Sequence, residues 1–291
     1  MKHTVSIVLF WALLAAPLFE ADAKTKTDAL SDADATAMRG KTVAITLHES
    51  PDFSAMTPGK VLTGLIGAFA MTASGNKLVN SNNVQDPARI VREQLANALR
   101  DTYGALPQAV DETETKSTQT GELAKLHPQS DYILSVKTRG WSYAYFPTAF
   151  DRFWTHYIVE TKLVDSRSGR LMSKGVCATH TRPNPIRPSI EQLLANQAQL
   201  LKDMLDASGW FCTRELAQKA LRVPDDKLPV VPPELVDPLH TTLVVNTEQD
   251  AATDVDKEPA VATPAAEITG STENEPVDHS EPPPQRSAED H

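Results

Sequence analysis

From Pro224 to His291 the chain holds eleven of its 21 prolines and not one Phe, Trp or Tyr. A segment without aromatic anchors cannot bury enough apolar surface to offset the entropy of ordering its backbone, so a disordered C-terminal tail is expected over 224–291. Everything that folds must be built from what precedes it. Residues 246–291 also carry twelve Asp or Glu against two Lys or Arg, a net of −10 that equals the formal charge of the whole chain. The rest is electrically balanced and shows no cluster of Lys and Arg, which argues against a nucleic-acid partner.

The other end is equally directive. Lys2, an apolar stretch from Val5 to Phe19 and the small-x-small site Ala21-Asp22-Ala23 form the three zones of a cleavable signal peptide over 1–23. The stretch is shorter than the ~20 residues that span a bilayer, and Pro17 interrupts it. No cysteine follows it to accept a lipid. A periplasmic or secreted protein starting at Lys24 is therefore expected, with 24–37 as a flexible N-terminal segment and 38–223 as the folded domain.

An exported chain with an even cysteine count favours a bridge, so Cys177 and Cys212 are expected to form a disulfide. Neither a C-x-x-C motif nor histidines at ligand spacing accompany them, and no metal or other cofactor is inferred.

Within the domain, Lys41 to His48 alternates as a strand with one well buried face. Pro58 to Gly75 is a nearly unbroken apolar run with Gly59, Gly64, Gly67 and Gly75 spaced through it, read as a buried or oligomer-facing helix. Asp86-Pro87 opens an amphipathic helix that Gly104 stops. Asp111 to Thr120 reads as a polar surface loop, followed by a short helix over Gly121 to His127. Asp131 to Tyr145, Arg152 to Val164 and Arg170 to His180 are dense in β-branched and aromatic residues and read as an antiparallel meander. Pro188 to Val223 is helical by spacing, with a break expected at Gly209. The fold class is α/β: a mixed sheet with a three-strand antiparallel meander, packed by helices in a single domain.

Eight aromatic residues crowd between Trp141 and Tyr157. Alternation buries part of such a set. Trp141, Tyr143, Tyr145, Phe146, Phe150 and Trp154 are the candidates for contact with a membrane interface, a glycan or a protein partner, since amphipathic rings suit all three. Signatures of catalysis are weaker. His48-Glu49 lacks the second histidine of H-E-x-x-H, Gly59-Lys60 lacks a phosphate loop, and no G-x-S-x-G occurs. A hydrolase would need at least two of His48, His156 and His180 in one cleft with a carboxylate such as Asp52 or Asp151. No catalytic residue is assigned.

The opening strand KTVAI, the helix in DPARIVREQLANAL, the segment SDYILSVKT and the pair LVDSRSGRLMSKG together resemble the α/β domain of the CsgG and TolB amino-terminal type, over about residues 40–221. The resemblance implies an exported envelope protein that binds or assembles with other proteins and does not turn over a substrate. The chain lacks the lipidated cysteine of CsgG and the propeller of TolB, so neither pore nor propeller function transfers. The expectation is a non-enzymatic envelope-protein-binding module. A homo-oligomer, and a membrane-associated assembly protein touching lipid through 58–75 and 141–157, stand as alternatives.

Overall fold

The computed structural model describes residues 27–61, 64–183 and 187–235. The expected signal peptide and the part of the expected tail beyond Leu235 lie outside these described residues. Element order is α1 (Asp32–Ala37), β1 (Thr42–His48), β2 (Ser54–Ala55), α2 (Pro58–Val61), α3 (Gly64–Asn82), α4 (Ala88–Tyr103), β3 (Leu106–Thr115), α5 (Thr120–Leu126), β4 (Tyr132–Phe146), β5 (Ala149–Asp165), β6 (Leu171–His180) and α6 (Ile190–Lys219). The sheet runs β3-β1-β4-β5-β6, with β2 beside β4. β1 is parallel to both β3 and β4, while β4, β5 and β6 form the antiparallel meander. The mixed α/β sheet read from the sequence is thus the fold observed.

β4 is the longest shared boundary. Its first half pairs with β1 through Tyr132–Ser135, and its second half pairs with β2 at Ser142 and Tyr143. One face of the sheet, the inner face, carries Leu134, Val136, Tyr157, Val159 and Leu163, fully buried with Leu95 and Leu99 of α4 and Leu201 and Leu205 of α6 in the main core. The outer face is capped at its proximal end by α5, whose Leu123 packs on Ala44, Ile133 and Val164. With layers on both sides, β1 is buried on both faces, where alternation had suggested one.

Asp86 accepts from the Ala88 backbone N–H (2.8 Å) and caps α4, and Gly104 ends that helix at φ 69°, in the left-handed region glycine tolerates. The same Asp86 accepts from Ser50 (2.7 Å) and Thr138 (2.5 Å), tying the helix start to the sheet. Gly75 lets α3 lie against the chain entering β2: a Cβ there would stand 1.9 Å from the Phe53 carbonyl oxygen. The Cys177–Cys212 disulfide is present and staples β6 to α6.

Four expectations need correction. Residues 27–37, expected to be flexible, belong to the domain. Asp28 exchanges two backbone hydrogen bonds of 2.9 Å with Lys174 at the edge of β6, Leu30 is 1% exposed, and Asp34 pairs with Arg170 at 2.7 Å. Asp111 to Thr115, expected in a loop, belongs to β3, an edge strand held to β1 through its backbone. Gly209 does not break the last helix. It is buried where α6 crosses the start of α4, and a Cβ would meet Pro87 at 3.0 Å. The break lies at Ala195–Ala198, where Asn196, Gln197 and Ala198 have φ of 51°, 58° and 59°. The ordered domain also extends past Val223, because Arg214 and Lys227 bond the backbone of Pro229 and Asp101 and Leu228 packs on the core.

Two outcomes follow. A Cys177→Ala/Cys212→Ala chain is expected to lose about 4 kcal/mol of unfolding free energy in denaturant titration, the loop-closure entropy for a separation of 35 residues. Gly75→Ala is expected to cost about 1–3 kcal/mol in the same assay, since the methyl meets backbone that must move.

Candidate functional site

The β4–β5 hairpin outruns β1, and its distal half forms the candidate surface. Cross-strand register decides which aromatic residues face inward. Tyr157 opposes Trp141, Thr155 opposes Tyr143 and Phe153 opposes Tyr145, all on the inner face. Trp141 and Tyr143 are 6% and 3% exposed. Both pack on Phe53, at ring separations of 5.0 and 5.9 Å, and the Trp141 indole N–H donates to the Pro51 carbonyl at 2.7 Å. They are core residues. Phe146 is buried as well, beneath the Arg187 guanidinium 4.4 Å from its ring.

Three of the six aromatic candidates remain accessible. Phe150 at the hairpin tip is 62% exposed, with Tyr145 beside it at 5.7 Å. Trp154 is half-buried on the outer face and donates its indole N–H to the Tyr145 carbonyl at 3.3 Å. Around Trp154 stand His156 and His180, at ring separations of 6.2 and 5.8 Å, and Arg182, whose guanidinium lies 5.7 Å over the indole. Ile158, Val176 and Ala178 extend this half-buried outer surface toward the middle of the sheet. The sequence reading missed His156, His180 and Arg182 as members of the aromatic surface. Their shared face follows only from the β5–β6 register.

The proximal outer face is polar and closed. His48 Nε2 lies 2.7 Å from Ser135 Oγ, and its Nδ1 lies 3.2 Å from the Thr115 carbonyl. Lys137 and Lys162 donate to the carbonyls of Lys116 and Thr118, so the chain after β3 is bound across this part of the sheet. Glu160 sits between Lys162 (3.0 Å) and Lys174 (3.5 Å). Burial raises its carboxyl pKa, but the lysines and Arg139 outweigh burial and hold it below the usual value.

The three histidines do not converge. His156 and His180 are cross-strand partners, whereas His48 lies on β1, separated from β5 by β4. Along β4 the two levels differ by five residues, about 16 Å of strand. Asp52 accepts from Asn76 at 2.6 Å, and Asp151 pairs with Arg152 at 3.4 Å. The glycine-spaced helix presents a different surface: Ile66 is 79% and Phe69 74% exposed, which corrects the buried alternative for this segment and is compatible with the oligomer-facing one.

No protein-family model matches the chain, and no curated protein matches it. Solved structures do. They include lipoprotein GNA1162 from Neisseria meningitidis, at 17% identity over 48% of this chain and 82% of that one, with a TM-score of 0.23. A PelC dodecamer from Paraburkholderia phytofirmans matches at 12% identity over 63% and 91%, with a TM-score of 0.26. The LpoB C-terminal domain from Escherichia coli matches at 16% identity over 48% and 83%, with a TM-score of 0.17. These are distant bacterial neighbours, lipoproteins among them, and no role is taken from them.

Burial lowers the His48 pKa from 6.5 to about 4; the Thr115 carbonyl opposes this, while Lys137, Arg92 and Lys162 reinforce it. A base with a depressed folded-state pKa leaves the unfolded chain binding the extra proton. Stability from His48 is therefore complete above pH 6.5, falls between pH 6.5 and 4, and is flat below. The expected loss over that window is about 3 kcal/mol. Denaturant unfolding at pH 7, 5 and 4 checks it: His48→Gln should flatten this part of the profile, and an unchanged slope would refute the assignment.

Proposed function

We propose that this chain is a non-enzymatic, exported binding module of the cell envelope that engages a protein partner through the distal hairpin. The observation that carries the reading is the distal outer face. Trp154 is accessible there beneath Arg182, and Phe150 and Tyr145 are accessible at the adjoining hairpin tip, while the proximal outer face is closed by α5 and the chain after β3. Aromatic and arginine side chains on a rigid strand pair are the residue types that dominate interface energy. The disulfide supports the exported reading, because such bridges persist in oxidising compartments.

A second reading rests on α3. Ile66 and Phe69 project into solvent near its start, an arrangement that suits a lipid interface or a further copy of the chain. No described helix is long and apolar enough to cross a membrane.

One experiment separates these. A photo-crosslinking amino acid is placed at Phe150, at Phe69 or, as a control, at the exposed Leu126 on α5. In cells that produce the protein, the partner reading expects one discrete heteromeric adduct from position 150 and none from 126. Equal adducts at 150 and 126, or none at 150, would sink it. Adducts from position 69 to phospholipid support the lipid version, and adducts of doubled mass support self-association.

A further inference from the structure

The register of β5 and β6 places two imidazoles opposite each other. His156 pairs with His180, and the adjacent pair is Thr155 and Thr181. The Thr181 N–H donates to the Thr155 carbonyl at 2.9 Å, while the Thr155 N–H is taken by Thr181 Oγ1 at 2.9 Å. That neighbour therefore occupies the hydrogen-bonded position of the antiparallel ladder. Positions alternate, so His156 and His180 occupy the non-hydrogen-bonded one, where Cα atoms stand about 4.5 Å apart and side chains approach most closely. Both are half-buried on the outer face, and both rings flank the indole of Trp154.

We propose that His156 and His180 chelate a divalent transition-metal ion, with one nitrogen from each ring. Metal–nitrogen distances of about 2.0–2.1 Å require the two donors to stand about 3 Å apart, within reach of imidazoles on neighbouring strands. Each ring retains a second nitrogen for a protein contact, as metal-bound histidines ordinarily do. Two imidazoles select borderline ions such as Cu2+, Ni2+ and Zn2+ over Mg2+ and Ca2+, which take oxygen ligands. Among the described residues no cluster of three or more His, Cys, Asp or Glu forms a metal site. Among the described residues the pair supplies two ligands, and water or a donor from a bound partner can fill further coordination positions. Its location beside Trp154 puts the ion on the proposed contact surface, but the chelate stands on register alone and does not require that reading.

The test uses untagged full-length protein titrated with Cu2+, Zn2+ or Mg2+ alone. Cu2+ should quench tryptophan fluorescence, bind more tightly than Zn2+ and show nitrogen ligation by electron paramagnetic resonance; Mg2+ should do none of this. His156→Ala and His180→Ala should each weaken Zn2+ binding tenfold or more, whereas His240→Ala, His279→Ala and His291→Ala should leave this component unchanged. An identical Zn2+ isotherm for the wild type and the His156→Ala/His180→Ala chain would overturn the proposal. Should either variant fail to fold, diethyl pyrocarbonate labelling of the wild type replaces it. Zn2+ protecting His156 and His180 together supports the chelate, and equal labelling with and without Zn2+ overturns it.

Discussion

The pairing of β4 with β5 is the constraint on which the rest of the structure depends. These strands share one long antiparallel ladder from Tyr132 and Asp165 to the tip at Phe146 and Ala149, with register shifts between Thr138 and Gly140 and between Tyr145 and Phe146. β1 joins only the proximal part of it, and β2 supplies a short neighbour farther along. Two environments result on one hairpin. The proximal half sits in the middle of a layered α/β domain. The distal half keeps a packed inner face, through Phe53 and the aromatic cluster, and an outer face with no helix on it among the described residues.

Helix placement then sets the chemistry of the outer face. Where α5 and the chain after β3 cross it, polar groups are buried and paired, as the lysine bonds to Lys116 and Thr118 and the neutral His48 show. Where no described helix crosses it, Trp154, His156 and His180 are half-buried and Arg182 is exposed on a rigid strand pair. Rigid elements of this kind present side chains at little entropic cost, which favours recognition and ligation alike. The disulfide from β6 to α6 and the Asp86 cap on α4 hold the helix layer in register with the sheet, so the exposed face is fixed from behind.

The meander, α4 and the cysteine pairing were legible because each rests on local chemistry: dense β-branched and aromatic residues, an Asp-Pro start with a glycine stop, and an even thiol count behind an expected leader. β3 was not legible. An edge strand exposed on both faces has no alternation to read, and LPQAVDETET resembles a loop until β1 supplies its partner. The N-terminal segment before Met38 was missed because the isolated Leu30 carries no periodic signal, yet it is buried in the core. The left-handed turn at Asn196–Ala198 contains no glycine or proline to announce it.

For the candidate site, the sequence by itself determined that aromatic residues are concentrated between Trp141 and Tyr157 and that the tail contributes none to a core. Composition and spacing suffice for that, because apolar burial scales with the side chains present. Only the tertiary structure decided that Trp141, Tyr143 and Phe146 are packing while Phe150 and Trp154 are surface, and that His156 meets His180. Facing is set by strand register and by which helix covers which side, and both are relations between residues far apart in the chain.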